Sequence, residues 1–355
     1  MPATDTATRQ PVVSVIIPAR NEEACLGACL ESLVAQAGVA FEIIVVDDHS
    51  TDRTREIASA FSSSPNQSPV RVINPGPLPP GWTGKNNAVV AGSRTAQGEW
   101  LLFTDADTIH LPGSLARSLA EAQRHGAAML SYSPEQIVES FWEKAVMPVI
   151  FAELAATFRP SQVSDPASPA AAANGQYILI TREAYDAVGG HASIAGDLLE
   201  DVALARAVKS SGRKIFFRFG GDAVRTRMYR TFAQLREGWT KNLALLFPSP
   251  LRLAALRAIE FVLILASFAI AVTTAIRGHW RPAIAAAMLT VILYAFFLAR
   301  IRRAHFSWDA NLLAVFGLPL FFYLLRRSAR AHAKGSVPWK GREYSHETHL
   351  LATGH

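Results

Sequence analysis

The sequence predicts an α/β protein, in which a mainly parallel sheet carries helices on both faces and is followed by C-terminal transmembrane helices. Within about the first 245 residues, short apolar strands alternate with amphipathic helices, a pattern typical of parallel sheets. Several of these strands run directly into polar or acidic residues. The stretch from about 256 to 325 is largely hydrophobic, so the composition changes from a globular part to a membrane part.

Strand and helix patterns alternate regularly along the first half of the chain. They indicate, in order, a strand at Val12–Ile17, a helix from an Asn21 cap to about Gly38, a strand at Phe41–Val46, a helix around Ile57 and a strand at Val70–Ile73. The next elements are a Pro/Gly-rich loop at Asn74–Gly84, a helix at Lys85–Ala96, a strand at Leu101–Thr104, a helix opened by Pro112 and a strand at Ala127–Ser131.

The middle of the chain is less regular. The apolar segment Phe141–Phe158 predicts either a core helix or a helix in a membrane interface, and the Pro/Ala/Ser-rich segment Arg159–Ala173 predicts a loop or a mobile lid. Strand character returns at Gly175–Ile180, followed by a helix at Leu198–Ser210 and a strand at Lys214–Phe219.

The two cysteines, Cys25 and Cys29, lie four residues apart on a predicted helix, which favours a buried apolar pair over a metal or redox site. Residues 1–10 are polar and predict a disordered leader without a signal peptide. We therefore expect a cytosolic domain at residues 11–245, with its thiols reduced.

Residues 246–330 predict a membrane region, and residues 331–355 a basic polar tail. Two apolar runs, at about 258–276 and 282–299, approach the roughly 20 residues that a spanning helix needs. A third, at about 310–325, is short and contains Gly317 and Pro319, so it could span, re-enter or lie flat. The alternative for all three is a buried helical core. Arginines outside the first two runs favour a multi-pass protein of the cell inner membrane with residues 11–245 in the cytoplasm, although Arg277 and Arg281 in the turn between the runs argue the other way.

The chain has a formal net charge of +6 and a pI near 9.5. Its arginines concentrate beside the hydrophobic region and do not form a stripe interleaved with aromatic residues. This distribution favours membrane lipid as a partner and argues against nucleic acid.

The run Trp100–Asp107 combines an apolar strand with two carboxylates, Asp105 and Asp107, one residue apart. Ligands of α/β proteins bind at the carboxyl edge of the sheet, where these side chains are expected. Oxygen ligands without nearby His or Cys favour Mg²⁺ or Mn²⁺, ions that often accompany phosphates. The alternative is an Asp-rich turn that caps the next helix.

Other polar groups follow neighbouring strands and are expected at the same edge. They are Arg20–Glu22, the pair Asp47 and Asp48, and Lys85 after its glycine-rich loop. The segment Gly81–Lys85 has the wrong glycine spacing for a nucleotide-binding P-loop, and Asn86 stands where a Ser or Thr would bind Mg²⁺. Lys85 can still meet a phosphate, or it can be a solvated surface lysine.

Glu200 and Asp201 form a further acidic pair at the predicted start of a helix. They can cap that helix, or one can be a general base if the helix points into the same cleft. Asp197 is an alternative candidate for the base.

Four motifs resemble, in order, those of the inverting family 2 glycosyltransferases, which have a GT-A fold. They are Ser14–Glu23, Val45–Asp52, Phe103–Asp107 and Glu200–Asp201, and the resemblance covers about residues 12 to 245. It implies that Pro18, Ala19, Arg20, Glu22 and Asp48 contact the nucleoside of a nucleotide sugar, with a UDP-sugar as the expected donor. It also implies that Asp105 and Asp107 face the ribose and the diphosphate-bound metal, with Asp107 the better ligand, and that Asp201 is the base.

A finer resemblance, to the carotenoid-acid (diaponeurosporenoate) and hopanoid-associated branch, lies in three further segments, which are Pro79–Lys85, Asn174–Tyr177 and Arg236–Asn242. It implies a lipid acceptor, and it makes Trp82, Asn174, Gln176 and Trp239 candidates for the acceptor side. Processive polysaccharide synthases carry a Gln-x-x-Arg-Trp motif from which Gln234–Trp239 departs.

The resulting hypothesis is a metal-dependent glycosyltransferase that moves one sugar to a lipid, with Phe141–Phe158 and Arg225–Phe247 as possible interfacial elements. The alternatives are a processive polysaccharide synthase of the same family and a non-catalytic membrane scaffold.

Overall fold

A computed structural model describes residues 11–62, 70–339 and 341–345 of the chain. The predicted leader at 1–10 and the last part of the predicted tail lie outside the described residues.

The strands alternate with helices over most of the chain. The strands are β1 (Val13–Ala19), β2 (Phe41–Asp47), β3 (Val70–Ile73), β4 (Trp100–Phe103), β5 (Thr108–His110), β6 (Met129–Ser133), β7 (Glu135–Gln136), β8 (Ile178–Thr181), β9 (Ile215–Phe219), β10 (Val224–Thr226), β11 (Ser336–Trp339) and β12 (Arg342–Ser345). The helices are α1 (Leu26–Val34), α2 (Thr54–Ser62), α3 (Gly84–Thr95), α4 (Ser114–His125), α5 (Phe141–Thr157), α6 (Pro160–Val163), α7 (Arg182–Ala187), α8 (Glu200–Ser210), α9 (Phe232–Leu246), α10 (Pro250–Ile276), α11 (Trp280–Ile301), α12 (Trp308–Leu313) and α13 (Gly317–Ala333).

The chain divides into two compact units. The first comprises residues up to Ile137 together with Phe158–Arg227, and the second comprises Val138–Thr157 together with the chain from Met228 onward. The apolar helix α5, which precedes much of the first unit in sequence, therefore packs with the C-terminal helices.

A seven-stranded sheet in the order β3-β2-β1-β4-β8-β6-β9 organises the first unit. The strands from β3 to β4 run parallel, and β8 runs antiparallel to both β4 and β6. One apolar core, containing Val15, Ile17 and Leu30, lies on one face, and another, containing Ile16, Ile44 and Leu204, lies on the opposite face. The predicted mainly parallel sheet with helices on both faces is confirmed.

The start of α1 differs from the prediction. Asn21 adopts a left-handed conformation with φ of 55°, and the helix begins only at Leu26, with Cys25 at the N-cap position. Asn21 instead accepts a hydrogen bond on Oδ1 from the Thr51 backbone N–H at 2.9 Å. Cys29 is buried but Cys25 is only partly buried, so the expectation that both cysteines are buried was wrong.

The segment predicted as a loop or lid, Arg159–Ala173, contains the short helix α6. Its backbone carbonyls at Gln162, Val163 and Ala170 accept hydrogen bonds from Lys209 Nζ on α8. The side chain of one lysine thus holds the segment against α8 within the first unit.

Three helical segments of the second unit are long and apolar enough to cross a membrane, which are Pro250–Ile276, Trp280–Ala304 and Trp308–Ala333. The first two form an antiparallel hairpin, because Thr290 Oγ1 donates to Ser267 Oγ at 2.9 Å and Arg300 Nη2 lies 2.6 Å from Glu260 Oε2. An apolar core with Trp239 and Phe321 joins α5, α9 and α13 to this hairpin.

A ring of four charged residues ties α5 to the hairpin. Glu153 of α5 pairs with Arg257 of α10 and with Arg300 of α11, and both arginines also pair with Glu260 of α10. Each charge therefore has two opposite partners, as a partly buried ionic group requires.

Candidate active site

Asp105 and Asp107 lie in the turn between β4 and β5, at the edge of the sheet where β4 ends. Hydroxyl groups hold the backbone of this turn on both sides. Thr108 Oγ1 donates to Asp105 O at 2.7 Å, and Thr226 Oγ1 donates to Asp107 O at 3.2 Å. Thr226 Oγ1 also accepts from Gln176 Nε2 at 3.2 Å. Thr226 on β10 and Gln176, just before β8, therefore hold the acidic turn in place.

Lys85 connects this acidic turn to the start of α8. Its Nζ lies 2.7 Å from Asp105 Oδ1 and 2.8 Å from Glu200 Oε1. Although burial favours the neutral amine, the two carboxylates raise the pKa of Lys85 well above its ordinary value. Lys85 is thus a permanent cation between two carboxylates that are far apart in sequence.

Asp201 lies beside Glu200 in the first turn of α8, and backbone N–H groups orient its carboxylate. Oδ2 accepts from Gly175 N at 3.0 Å and Oδ1 accepts from Val202 N at 2.8 Å. Burial, and after it the charge of Glu200, raise the pKa of Asp201 to about 6, although Lys85 and the two backbone hydrogen bonds act in the opposite direction. A carboxylate with such a pKa is ionised at neutral pH and is basic enough to accept a proton.

The loop before α3 is fixed by its own polar residues. Thr83 caps the helix by accepting from Asn86 N at 3.1 Å. Asn86 Nδ2 donates to the carbonyls of Ile194, Ala195 and Asp197, at 2.9, 3.0 and 3.3 Å. Asn86, which stands where a P-loop would have a metal-binding hydroxyl, therefore holds the loop that leads to α8.

The loops after β1 and β2 form the other end of the site. Arg20 Nη1 donates to Asp48 O at 2.8 Å, and Asp48 N donates to Ala19 O at 2.8 Å. Glu22 N donates to Thr54 Oγ1 at 2.7 Å, while Pro18 lies in β1 just before Ala19. Of the predicted nucleoside-binding residues, Pro18 and Ala19 therefore end β1, and the others lie in the loops after β1 and β2, which are hydrogen-bonded to each other.

The four candidates for the acceptor side occupy different environments. Asn174 and Gln176 flank Gly175, and Gln176 is buried, while Trp82 is partly buried in the loop before α3. Trp239 is only 2% exposed and packs edge-on against Phe151 and Tyr229 in the core of the second unit. Its acceptor-side role stays a prediction.

The donor set of the acidic turn fits a hard divalent cation that shares its remaining ligands with phosphate and water. Asp105 and Asp107 offer only oxygen atoms, and Mg²⁺ is commonly bound by one or two carboxylates together with substrate phosphates. Throughout the part of the chain that the structure describes, no three His, Cys, Asp or Glu side chains are grouped to hold a metal by themselves. A cation at this turn would thus depend on a phosphate-bearing ligand.

Gly175 is a site residue that the sequence analysis did not single out. A Cβ at this position would meet Lys85 Nζ at 3.1 Å and Glu200 Oε1 at 3.3 Å. Its backbone N–H also donates to Asp201. In the sequence, only its position between the candidates Asn174 and Gln176 points to Gly175 as a site residue. Its contacts with Lys85 and Glu200 join three separate elements, which no local pattern reveals.

We expect Gly175→Ala to lower activity by roughly tenfold, because the added methyl displaces the Lys85 or Glu200 side chain by a few tenths of an ångström, and tenfold corresponds to about 1.4 kcal/mol. Steady-state assays with a nucleotide-sugar donor would measure the loss. Gly76→Ala is the matched control, since a Cβ at Gly76 meets nothing within 4 Å. Equal activity of both variants would contradict the tight packing at Gly175.

Comparison with known proteins gives a consistent assignment. The family model described as "Glycosyl transferase family 2" matches residues 14–188. A 4,4'-diaponeurosporenoate glycosyltransferase from Staphylococcus aureus strain MRSA252 is 30% identical over 350 residues, covering 94% of this chain and 88% of the relative. The corresponding protein of strain bovine RF122 / ET3-1 is 29% identical with the same coverage.

Among solved structures, a mannosyltransferase from Pyrobaculum calidifontis, in complex with GDP-Man and Mn²⁺, is similar in fold. The TM-score is 0.53, at 16% sequence identity, and the match covers 92% of this chain and 88% of that one. At this identity the likeness supports the fold alone.

Proposed function

This chain belongs to glycosyl transferase family 2, and on that basis we propose that it moves a single sugar from a nucleotide-sugar donor to a lipid acceptor. The GT-A fold and the family membership make it a glycosyltransferase. The donor, the acceptor, the inverting course and the use of a metal belong to the proposal.

The observation that carries the proposal is the double ion pair of Lys85. Through Lys85, the acidic turn after β4 and the acidic start of α8 become one cluster, within 2.7 and 2.8 Å of the same ammonium group. A transfer reaction needs one group that removes a proton from the acceptor and another that stabilises the departing diphosphate. The two sides of this cluster fit these two tasks.

Asp201 is the proposed base. Its carboxylate takes the proton of an acceptor hydroxyl, or of a carboxyl group that the apolar environment keeps protonated, as that oxygen attacks the anomeric carbon, and the bond from that carbon to the diphosphate oxygen breaks on the opposite face. This course inverts the configuration at the anomeric carbon. The N–H groups of Gly175 and Val202 support this role because they hold both oxygens of the carboxylate in a fixed orientation.

Asp105, Asp107 and Lys85 form the proposed leaving-group end. Asp107 and Asp105 would hold Mg²⁺ or Mn²⁺, which neutralises the growing charge of the diphosphate when bound. Beside the metal ion, the ammonium group of Lys85 provides a second positive charge next to Asp105, and it can turn toward a phosphate oxygen. Pro18, Ala19, Arg20, Glu22 and Asp48 are the proposed contacts of the nucleoside.

The proposed acceptor is a carotenoid acid or another isoprenoid or hopanoid lipid. The names of the relatives support a carotenoid acid, and the apolar helices of the second unit support an acceptor dissolved in the bilayer. In this proposal the protein is a multi-pass protein of the inner membrane that acts from the cytoplasmic side.

Nucleotide release tests the proposal. Purified full-length protein in detergent or nanodiscs is given UDP- and GDP-sugars with lipid extract, with and without Mn²⁺, and the product is identified by mass spectrometry. We expect metal-dependent release and a lipid carrying one sugar. Lipids with long sugar chains would favour a polysaccharide synthase, and release from none of the donors would refute the enzyme.

The pH dependence follows from the raised pKa of Asp201. Because the base must be ionised, we expect the rate to fall about tenfold per pH unit below about 6 and to level off above it. Glu200→Gln should move the inflection to lower pH, because the charge of Glu200 raises the pKa of Asp201. Initial rates from about two pH units below the inflection to about two units above it would give both curves. A rate that stays flat down to about pH 5 would argue against Asp201 as the base.

A further inference from the structure

The helical hairpin of α10 and α11 places its two open ends on one side of a membrane. Glu260, in the first half of α10, pairs with Arg300 at the end of α11 and with Arg257 on its own helix. The turn around His279 joins the other two ends. Whatever follows α11 therefore begins on the side from which α10 entered.

Helix α9 marks that entry side, because it directly precedes α10. It begins with a capping box between Thr231 and Gln234 and carries Arg236, Glu237 and Lys241 within two turns. Charged residues at this density are too costly for the hydrocarbon core. Helix α9 consequently lies outside the core of the bilayer.

The end of α13 is bound along α9. Ser328 Oγ accepts from Ala244 N at 2.9 Å, Arg327 Nε donates to Thr240 Oγ1 at 3.1 Å, and His332 Nε2 donates to Lys241 O at 2.8 Å. The hairpin of β11 and β12 follows on the same side, with Lys241 Nζ 5.1 Å from the ring centre of Trp339. Both ends of the segment Trp308–Ala333 thus lie where the chain enters the membrane.

This segment also differs from the first two in its surroundings. In its most apolar window 44% of the residues are buried inside the protein, against 11% for each of the other two candidate spans. Its exposed residues include a series spaced three to seven residues apart, which is apolar at Trp308, Leu312, Phe316 and Tyr323 and basic at Arg326 and Arg330. Asp309, which pairs with Lys144, and Arg327 are exposed beside it. Aromatic and basic residues in this order are typical of a helix in the interface of a bilayer with anionic lipids.

We propose that only α10 and α11 cross the bilayer, and that α12 and α13 lie in the leaflet on the entry side without crossing. The apolar half of this series contacts acyl chains, and its basic half contacts anionic headgroups. The sequence left open whether the third apolar run spans the membrane, re-enters it or lies flat, and this proposal places it flat. The proposal does not depend on the reaction that the first unit catalyses.

Cysteine labelling from each side of the membrane tests the topology. In a Cys25→Ser background, Glu237→Cys on α9, His279→Cys in the hairpin turn and Lys334→Cys after α13 are treated with a membrane-impermeant maleimide, in intact cells and in inverted vesicles. Cys29 is buried and does not interfere. We expect positions 237 and 334 to react from the same side and position 279 only from the other. Reaction of position 334 together with position 279 would mean that α13 crosses, and would overturn the proposal.

Spin labels test the depth. Depth is measured as the ratio of a label's accessibility to oxygen, which concentrates in the bilayer, to its accessibility to a water-soluble relaxation agent. This ratio should be lower for a label at Phe316 than for a label at Val291, which is 68% exposed in the middle of α11. A label at Arg330 should be mainly accessible to the water-soluble agent. A label at Phe316 as deep as that at Val291 would mean a re-entrant segment and would overturn the flat placement. This result would say nothing about the donor or the acceptor of the enzyme.

Discussion

Asp201→Asn is expected to lower the turnover number by roughly 10³-fold, within the range of about 10²–10⁴ that a positioned general base contributes. The amide has the shape of the carboxylate and can still accept from one of the two backbone N–H groups, but it cannot take a proton. Donor binding should be nearly unchanged, because the nucleoside-binding loops lie after β1 and β2. Transfer rates and isothermal titration with the nucleotide sugar would measure both quantities.

Asp197→Asn is the matched control, since Asp197 lies four residues earlier in the loop held by Asn86. This variant should keep nearly full activity. If Asp201→Asn stayed active while Asp197→Asn did not, Asp197 would be the base and the assignment of Asp201 would be wrong.

Asp107→Ala is expected to reduce transfer by roughly 10²-fold or more and, unlike Asp201→Asn, to weaken donor binding as well. Removing a ligand that acts on the diphosphate affects the bound donor and the departing group alike. Binding of Mn²⁺ in the presence of nucleoside diphosphate, followed by electron paramagnetic resonance, gives a readout that is independent of turnover.

Asp165→Ala controls for the loss of one carboxylate, because Asp165 lies on the surface and accepts a hydrogen bond from the Ala167 backbone. It should bind Mn²⁺ and donor like the unchanged protein. Wild-type donor and metal affinity in Asp107→Ala would remove Asp107 from the leaving-group end.

Local patterns in the sequence predict the parallel half of the sheet well, because each strand is a short apolar run next to a helix with its own periodicity. They do not reveal that β8 inserts antiparallel between β4 and β6, since the direction of a strand depends on the path of the loops before it. The cap at Asn21 was wrong for a similar reason. Tertiary hydrogen bonds to Ser50 and Thr51 hold Asn21 in a left-handed turn and delay the helix.

The acidic motifs can be predicted from the sequence because carboxylates at strand ends stand out against apolar residues. The ion pairs through which Lys85 joins the two motifs cannot be predicted, because Lys85 and Glu200 are far apart in the chain and no periodicity relates them. The same applies to Thr226, a small hydroxyl residue with no motif of its own, which braces the backbone of Asp107.

The ring of Glu153, Arg257, Glu260 and Arg300 has a consequence for biosynthesis. Helix α5 leaves the ribosome about a hundred residues before α10, so Glu153 and the apolar face around it have no partners while the first unit is being completed. A chain shortened before Pro250 would retain that apolar helix and lose both arginines. We therefore expect such shortened chains to aggregate, and soluble production to require removal of α5 together with the membrane helices.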